Sequence, residues 1–270
     1  MLMTKFRSCP GGAIPAAAAL TMLAFAGPAF AQCPATFTVG PAWAMGSPYS
    51  VSVGDFNNDG RLDFAGANFT GPGDVTVRLA GVVPVDSYFS SATYPLGLSP
   101  RGSVAADFNH DGRADLAVAY NGGGPANVRM AVLIANANGT FQAPVLYPVG
   151  WQAYDVRAAD VNGDGNVDLL CSASSGTISI LRGNANGTFQ DAVTVTSGLQ
   201  ATGFVAADAN GDGTQDLVTT NYNFSTGVSV VYVALGVPGS NGAGYGSFNP
   251  YNPGSFGSWG IASGDFNSDG

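Results

Sequence analysis

The sequence has no glutamate and only one lysine. All 18 acidic residues are Asp, and charged residues make up 10% of the 270-residue chain. Glu and Lys are favoured on exposed helix surfaces, so their scarcity argues against helical bundles and coiled coils. Nine cationic residues are also too few to form the basic patch that nucleic-acid binding requires.

Groups that carry catalysis are scarce as well. His110 is the single His, it stands in a turn rich in Asn and Asp, and no Ser or Cys motif accompanies it. A hydrolase triad is therefore not expected. A glycosidase needs a pair of carboxylates, whereas most Asp residues belong to repeated acidic loops. Asp155, next to Tyr154 and close to Trp151, is the one other acid near aromatic residues, and we expect a structural role for it. The sequence predicts that the chain is not an enzyme.

The first 31 residues have the features of a secretory signal peptide. Lys5 and Arg7 precede an apolar run over residues 13–25, and Ala29-Phe30-Ala31 has the A-x-A form of a cleavage site. The run is shorter than the roughly 20 apolar residues that span a bilayer, and no other segment is apolar enough. We therefore predict cleavage near Ala31, no membrane span, and a secreted or cell-surface location.

Two cysteines remain after residue 31, namely Cys33 and Cys171. Export to an oxidising compartment permits a disulfide between them. The simpler alternative is that Cys171, which follows two leucines, is a small buried apolar residue.

An acidic nine-residue pattern, D-x-N-x-D-G-x-x-D, recurs along the chain. A similar sequence starts at Asp55, Asp107, Asp160 and Asp208, and a fifth copy starts at Asp265 and reaches Gly270. The starts are 48 to 57 residues apart. A constant period of this size is the signature of a repeat architecture.

Each repeat holds short apolar runs separated by turns. In the second repeat, runs over residues 103–106, 116–119 and 128–133 are followed by Asn138-Gly139 and a last extended stretch. Four short strands per period of about fifty residues predict the blade of a β-propeller. Residues 32–270 then form one all-β domain of four-stranded antiparallel blades, with about 4.6 blades present and the ring truncated at the carboxyl end. A stack of separate hairpins is the alternative, but it leaves unpaired edges.

The repeated pattern predicts calcium sites. Side-chain oxygens stand at positions 1, 3, 5 and 9, position 7 can add a backbone carbonyl, and Gly at position 6 permits a sharp turn. Several oxygen ligands on a flexible loop favour Ca²⁺ over Mg²⁺, and three nearby carboxylates repel one another unless a cation binds. Asx turns without metal are the alternative.

The D-F-N-x-D-G-x-x-D-L pattern, with N-x-N-G-T-F between copies, resembles the FG-GAP/VCBS repeats of integrin-α-like β-propellers over residues 36–270. The resemblance implies a seven-bladed ring and structural Ca²⁺ in about four loops, with a fifth incomplete. Carried over position by position, the implied ligands, including the position-7 carbonyls, are Asp55, Asn57, Asp59, Arg61 and Asp63; Asp107, Asn109, Asp111, Arg113 and Asp115; Asp160, Asn162, Asp164, Asn166 and Asp168; Asp208, Asn210, Asp212, Thr214 and Asp216; and Asp265, Asn267 and Asp269.

The function expected from this resemblance is an extracellular or cell-surface adhesion or ligand-binding module for a protein or a glycan. The alternatives are a lectin-like propeller and a non-catalytic accessory domain of a larger secreted enzyme. Trp43, Trp151 and Trp259 each precede an acidic loop. The equivalence of Trp151 with a Leu in other repeats favours packing between blades, and stacking on a sugar is the alternative.

Overall fold

The computed structural model of the chain describes the greater part of the repeat region. The described residues are 46–70, 73–81, 88–96, 99–121, 128–197, 201–223, 228–242, 244–251 and 261–263. All of them belong to the larger of two units into which the chain divides, Trp43–Gly270. Outside them lie the predicted signal peptide, Cys33, Trp43, Trp259 and the fifth acidic loop at Asp265, Asn267 and Asp269.

The described residues form four antiparallel sheets of four strands each, and each sheet follows the order of the chain. Sheet 1 is β1 (Pro48–Gly54), β2 (Asp63–Asn68), β3 (Asp74–Ala80) and β4 (Tyr88–Pro95). Sheet 2 is β5 (Ser99–Ala106), β6 (Asp115–Asn121), β7 (Val128–Leu133) and β8 (Val145–Pro148). Sheet 3 is β9 (Ala153–Ala159), β10 (Asp168–Ala173), β11 (Thr177–Leu181) and β12 (Val193–Thr196). Sheet 4 is β13 (Ala201–Ala207), β14 (Asp216–Asn223), β15 (Val228–Ala234) and β16 (Asn249–Tyr251).

The predicted all-β class and the four-stranded antiparallel blades are confirmed. Each repeat of about fifty residues forms one sheet whose strands pair antiparallel in chain order, so each sheet has the up-and-down order of a propeller blade. Among the described residues, no helix is long and apolar enough to cross a membrane.

The second strands of sheets 2 and 3 are covered on both faces. Every residue of β10 is buried, and only the last residue of β6 is partly exposed. Strands buried on both sides lose the alternation of polar and apolar residues. The core therefore lies between successive sheets.

Three apolar clusters fill the spaces between successive sheets. The first joins Phe56 and Val77 of sheet 1 to Leu133 of sheet 2, the second joins sheets 2 and 3, and the third joins sheets 3 and 4. Hydroxyl groups also meet across the first boundary, where Ser52 Oγ lies 2.7 Å from Ser103 Oγ. The first strands of successive sheets thus lie side by side.

An aromatic contact recurs at two of the three boundaries. The ring of Phe141 in sheet 2 packs edge-on against Phe56 and Tyr94 of sheet 1, with centroids 5.2 and 5.5 Å apart. Tyr94 Oη also accepts the backbone N–H of Phe141 at 2.9 Å. At the next boundary the ring of Phe189 packs against Phe108 and Tyr147, and its N–H donates to Tyr147 Oη at 3.1 Å.

The same contact is altered between sheets 3 and 4. Val161 replaces the loop phenylalanine, Val195 replaces the tyrosine, and Tyr245 takes the place of the incoming phenylalanine. The buried Tyr245 hydroxyl has no hydrogen-bond partner among the described residues. Burial, together with the charges of Asp168 and Asp216, raises the pKa of Tyr245 to about 12.

Cys171 is a free and fully buried thiol in β10, as the simpler of the two expectations predicted. Burial, with the charge of Asp155 as a smaller cause, raises the pKa of this thiol well above its usual range. The group therefore serves as a small apolar side chain.

Candidate metal centres

The four complete acidic loops lie at one end of their sheets, because each joins the first strand to the second. Neighbouring loops also contact one another. The backbone N–H of Ala114 donates to the carbonyl of Asp55 at 2.9 Å, and His110 Nε2 lies 3.1 Å from Asn166 Oδ1. His110 is thus a loop-to-loop contact residue.

The backbone of every loop is left-handed at two positions. Position 6 is Gly60, Gly112, Gly165 or Gly213, with φ between 81° and 86°. Position 4 is also left-handed, at Asn58, His110, Gly163 and Gly211, with φ between 56° and 77°. The requirement at position 6 follows from its invariant Gly. At position 4 the sequence signal for a left-handed backbone is weaker, because two of the four loops have Asn or His there instead of Gly. Asn and His are among the residues besides Gly that tolerate this conformation best.

Oxygens from positions 1, 3 and 5 all turn into the loop. In the first loop, Asp55 Oδ1 and Asn57 Oδ1 both accept the backbone N–H of Asp59, at 3.0 and 3.2 Å. Asp55 Oδ2 accepts the N–H of Gly60 at 2.7 Å, and Asp59 Oδ1 accepts the N–H of Arg61 at 2.9 Å. The other three loops have the same bonds from positions 1, 3 and 5, and their position-1 and position-5 carboxylates are Asp107 and Asp111, Asp160 and Asp164, and Asp208 and Asp212.

Position 9 has a second role that the sequence does not reveal. The side chain of Asp115 is fully buried. Its Oδ2 accepts the N–H of Phe108 at 3.0 Å, and its Oδ1 accepts the N–H of Ala135, just beyond β7, at 2.7 Å. The carboxylate therefore ties the loop to the third strand of the sheet. The equivalents Asp63, Asp168 and Asp216 are also fully buried and make the same pair of bonds.

Burial makes ionisation of Asp63, Asp115 and Asp168 costly. It raises the pKa of Asp115 to about 6, with the nearby charges of Asp111 and Asp107 adding to the shift and two backbone N–H bonds opposing it. Burial likewise raises the pKa values of Asp63 and Asp168, and the position-5 and position-1 charges of their own loops add to it. In these three loops the carboxylates of positions 1 and 5 are therefore close enough to raise the pKa of the position-9 carboxylate.

Position 5 behaves in the opposite way. The backbone N–H of Asn166 and the side chain of Asn162 hold the pKa of Asp164 below its usual value. For Asp212 the same effect comes from Asn210 and Thr214. For Asp59 partial burial opposes the shift, but bonds from Asn57 and the Arg61 N–H, with the Arg61 charge, lower its pKa. These bonds therefore favour the ionised form of Asp59, Asp164 and Asp212.

Position 7 divides the loops into two pairs. In the first two loops it is an arginine whose guanidinium pairs with the position-5 carboxylate, as in Arg61–Asp59 at 2.8 Å and in Arg113–Asp111. In the third and fourth loops it is Asn166 and Thr214. The first two loops therefore carry a counter-ion within their own sequence.

The donor set fits a hard divalent cation. Carboxylate and amide oxygens are the ligands that Ca²⁺ prefers, and those of positions 1 and 3 already converge on one N–H in each loop. Each oxygen of an ionised carboxylate offers two acceptor sites, so the bonds at position 9 leave room for a cation. Among the described residues, however, no three acidic, His or Cys side chains are placed to hold a metal ion together. The ligand set therefore stays a prediction.

Trp151 and Asp155 lie at the end of sheet 3 that is remote from the acidic loops. Trp151, expected to pack between blades, is 59% exposed at the start of sheet 3. Trp151 precedes β9, so the sequence equivalence with Leu in other repeats did not predict its exposure. Asp155 forms an ion pair with Arg157 at 2.9 Å. Burial raises the Asp155 pKa and the Arg157 charge opposes this shift, so a structural role accounts for it.

Two overlapping segments of the chain, residues 107–171 and 160–219, match a family described as FG-GAP-like repeat. Residues 107–219 are therefore similar to FG-GAP-like repeats. The matched residues hold three of the four complete acidic loops, and each match begins at a position-1 Asp. Together with the four sheets, the match shows a β-propeller-like module built of these repeats.

The solved structures that match part of this chain include one of a biofilm matrix protein. It is the crystal structure of the V. cholerae biofilm matrix protein Bap1, with a TM-score of 0.37 and 20% sequence identity over 71% of this chain. The match covers 35% of the Bap1 chain, so this chain spans about a third of its length. No curated protein matches the chain.

Proposed function

We propose that this chain is an exported, calcium-stabilised β-propeller module that binds a protein or glycan ligand outside the cell or at its surface. The observation that supports it is the fourfold recurrence of one loop. In each copy a buried position-9 carboxylate ties the loop to its sheet, while oxygens of positions 1, 3 and 5 turn inward. Loops built the same way in four sheets favour a shared structural ligand.

The role of the cation follows from the charges. Each complete loop holds three carboxylates, whose repulsion is unfavourable in a folded chain. When bound, Ca²⁺ supplies the positive charge that offsets this repulsion. The backbone N–H groups of the loop orient the carboxylates, and the position-9 bonds tie the loop to the end of the third strand. The sites are therefore structural and not catalytic.

The location follows from the amino-terminal sequence. A positively charged start, an apolar run and an A-x-A site predict export. Extracellular Ca²⁺ is abundant enough to fill sites of modest affinity. The module then works as an adhesion or ligand-binding domain, or as the non-catalytic accessory part of a larger secreted enzyme.

The test is a thermal melt of the secreted chain in EDTA, in Mg²⁺ and in Ca²⁺. A ligand that binds only the folded state at 100 times its Kd adds about 2.7 kcal/mol per site. We expect Ca²⁺ to raise Tm by many degrees and Mg²⁺ to raise it much less. A cooperative melt with the same Tm in all three buffers would show that the loops are Asx turns without metal.

A specific observation favours a lectin-like function as the second candidate. Aromatic side chains are exposed at the end of the sheets remote from the acidic loops, among them Tyr49 and Trp151. Exposed rings are surfaces on which sugars stack, whereas a plain scaffold has no need of them. A glycan screen of the calcium-loaded chain distinguishes a lectin from a plain scaffold, because a scaffold binds no glycan.

A further inference from the structure

The first strands of three sheets bring one set of side chains together at their starts. Tyr49, Arg101 and Tyr154 each stand six residues before the position-1 Asp of their loop. Because the first strands of successive sheets lie side by side, these equivalent positions are neighbours. Phe69, which directly follows β2, joins them. We call Tyr49, Phe69, Arg101 and Tyr154 the arginine–aromatic cluster.

The guanidinium of Arg101 lies among three rings. Its Cζ is 4.5 Å from the ring centroid of Tyr154, 5.4 Å from that of Phe69 and 5.5 Å from that of Tyr49. All three distances are within the range of cation–π attraction. Tyr49 and Phe69 also contact each other, with centroids 5.9 Å apart. The rings hold the guanidinium in one place without neutralising its charge.

Arg101 has no acidic partner within the described residues. Arg61, Arg113 and Arg157 each pair with an Asp two residues away, whereas Arg101 forms no ion pair there. Its Nε is buried without a hydrogen-bond partner. Its two terminal nitrogens are not among the buried atoms that lack a partner. In a chain of net charge −9, an unpaired cation held among rings is unusual.

The cluster is open to a ligand. Tyr49 is 60% exposed and Phe69 is 38% exposed, while Arg101 and Tyr154 are half-buried. Six residues of strand separate Tyr49 from Asp55, which is about 20 Å at the rise of a β-strand. The cluster is therefore remote from the acidic loops and from any cation they bind.

We propose that the arginine–aromatic cluster binds the uronic-acid residues of an acidic glycan. A guanidinium recognises a carboxylate through two parallel N–H bonds. A uronic acid carries its carboxylate on a pyranose ring whose C–H face can pack on an exposed aromatic ring such as Tyr49. One uronic-acid residue can therefore bind Arg101 through its carboxylate and pack on Tyr49 through its ring. The carboxylate of an acidic peptide has no flat apolar face beside it.

This inference rests on the proposed function as a ligand-binding module and names the ligand class, but it does not depend on calcium. The test is calorimetric titration of the secreted chain with two probes, an oligogalacturonate and a hyaluronan octasaccharide. The matched controls are the same oligosaccharides after reduction of their carboxylates to alcohols. We expect the acidic forms to bind and the reduced forms to bind at least tenfold more weakly.

Variants locate the site. Arg101→Gln removes the charged fork and should weaken binding about tenfold or more, because hydrogen bonds to charged groups are among the strongest. Arg101→Lys keeps the charge without the fork and should restore part of the affinity. Tyr49→Ala removes an exposed ring and should also weaken binding, and since this ring is exposed, the fold is retained.

Two control variants make the same kinds of change outside the arginine–aromatic cluster. Arg157→Gln removes an equal charge from the opposite face of β9, and Tyr251→Ala removes an exposed ring from sheet 4. Both should bind within twofold of the wild type. The Tm of every variant is compared with that of the wild type.

Four results would overturn the inference: no binding of either acidic oligosaccharide, equal binding of the reduced forms, an Arg101→Gln variant that folds and binds unchanged, or tighter binding of an octa-aspartate peptide. If Ca²⁺ raises Tm but no acidic glycan binds, the inference fails and the calcium-stabilised module stands. If the glycan binds but EDTA leaves Tm unchanged, the calcium role fails and the glycan site stands.

Discussion

The position-9 aspartates show how much a single buried side chain can organise. Asp115 accepts two backbone N–H groups from opposite parts of sheet 2, one from the loop and one from the end of the third strand. The motif identifies these residues as acidic, but the sequence alone suggests only a metal ligand. Their role as a tie between loop and sheet needs the position of the third strand, which no local pattern supplies.

We predict that Asp115→Asn lowers the free energy of unfolding by about 2–3 kcal/mol even in EDTA. The amide keeps one acceptor but turns an N–H₂ donor toward a backbone donor, which leaves a buried group unsatisfied. Urea denaturation in EDTA measures the effect. The control is Asp111→Asn in the same loop, at a partly exposed site. Equal, small losses for the two variants in EDTA would show that position 9 acts only through metal.

The tyrosine that bridges sheets 1 and 2 allows a second test at the residue scale. Tyr94→Phe keeps the ring contact with Phe141 and removes only the acceptor of its N–H. The expected loss is about 1–2 kcal/mol, since a part-buried N–H is left unpaired. Thermal unfolding checks it, with the exposed Tyr251→Phe as the control, for which no change is expected. A neutral Tyr94→Phe would mean that water replaces the bond.

At the scale of strands and turns, the sequence predicts most of each sheet. The run over residues 128–133 matches β7 in full, and the run over residues 116–119 lies inside β6. The run over residues 103–106 is the second half of β5, which begins at Ser99. Its first half was missed because the register shifts between Pro100 and Ser103, and the partner that sets this register is not encoded locally.

The turn after the third strand depends on glycine for space. A Cβ at Gly183 would overlap the carbonyl oxygen of Val167, next to the buried Asp168. Gly183→Ala should therefore cost about 1–3 kcal/mol, since backbone must move to accept the methyl group. Gly246→Ala is the control, because its Cβ would meet nothing closer than 3.6 Å. Urea melts of both variants test this, and equal stabilities would contradict the close approach of backbone at Gly183.

At the scale of the molecule, the number of blades is the part that the sequence leaves most open. The repeat period and the turns predict antiparallel blades, and four of them are described. Which faces meet is visible only in the structure. Val51 of β1 is 52% exposed, whereas its equivalents Val156 and Phe204 are fully buried under the preceding sheet. The face of β1 that carries Val51 therefore corresponds to the face that the preceding sheet covers in sheets 3 and 4.

This difference predicts unequal effects of one substitution. Val156→Ser should cost about 2–4 kcal/mol, because it leaves a cavity and buries a hydroxyl. Val51→Ser should stay within about 0.5 kcal/mol, as for other exposed sites. Thermal unfolding of the two variants is the measurement. A large cost at Val51 would show that another part of the protein covers this face.

The central claim is that the four acidic loops bind calcium, and a titration tests it most directly. The secreted chain is stripped with EDTA, dialysed, and titrated with Ca²⁺ in a calorimeter beside Asp160→Asn, which changes only the third loop. We predict at least four ions per wild-type chain, one fewer in the variant, and much weaker binding of Mg²⁺. A chain that folds cooperatively and takes up no Ca²⁺, or a variant with an unchanged number of sites, would contradict the account.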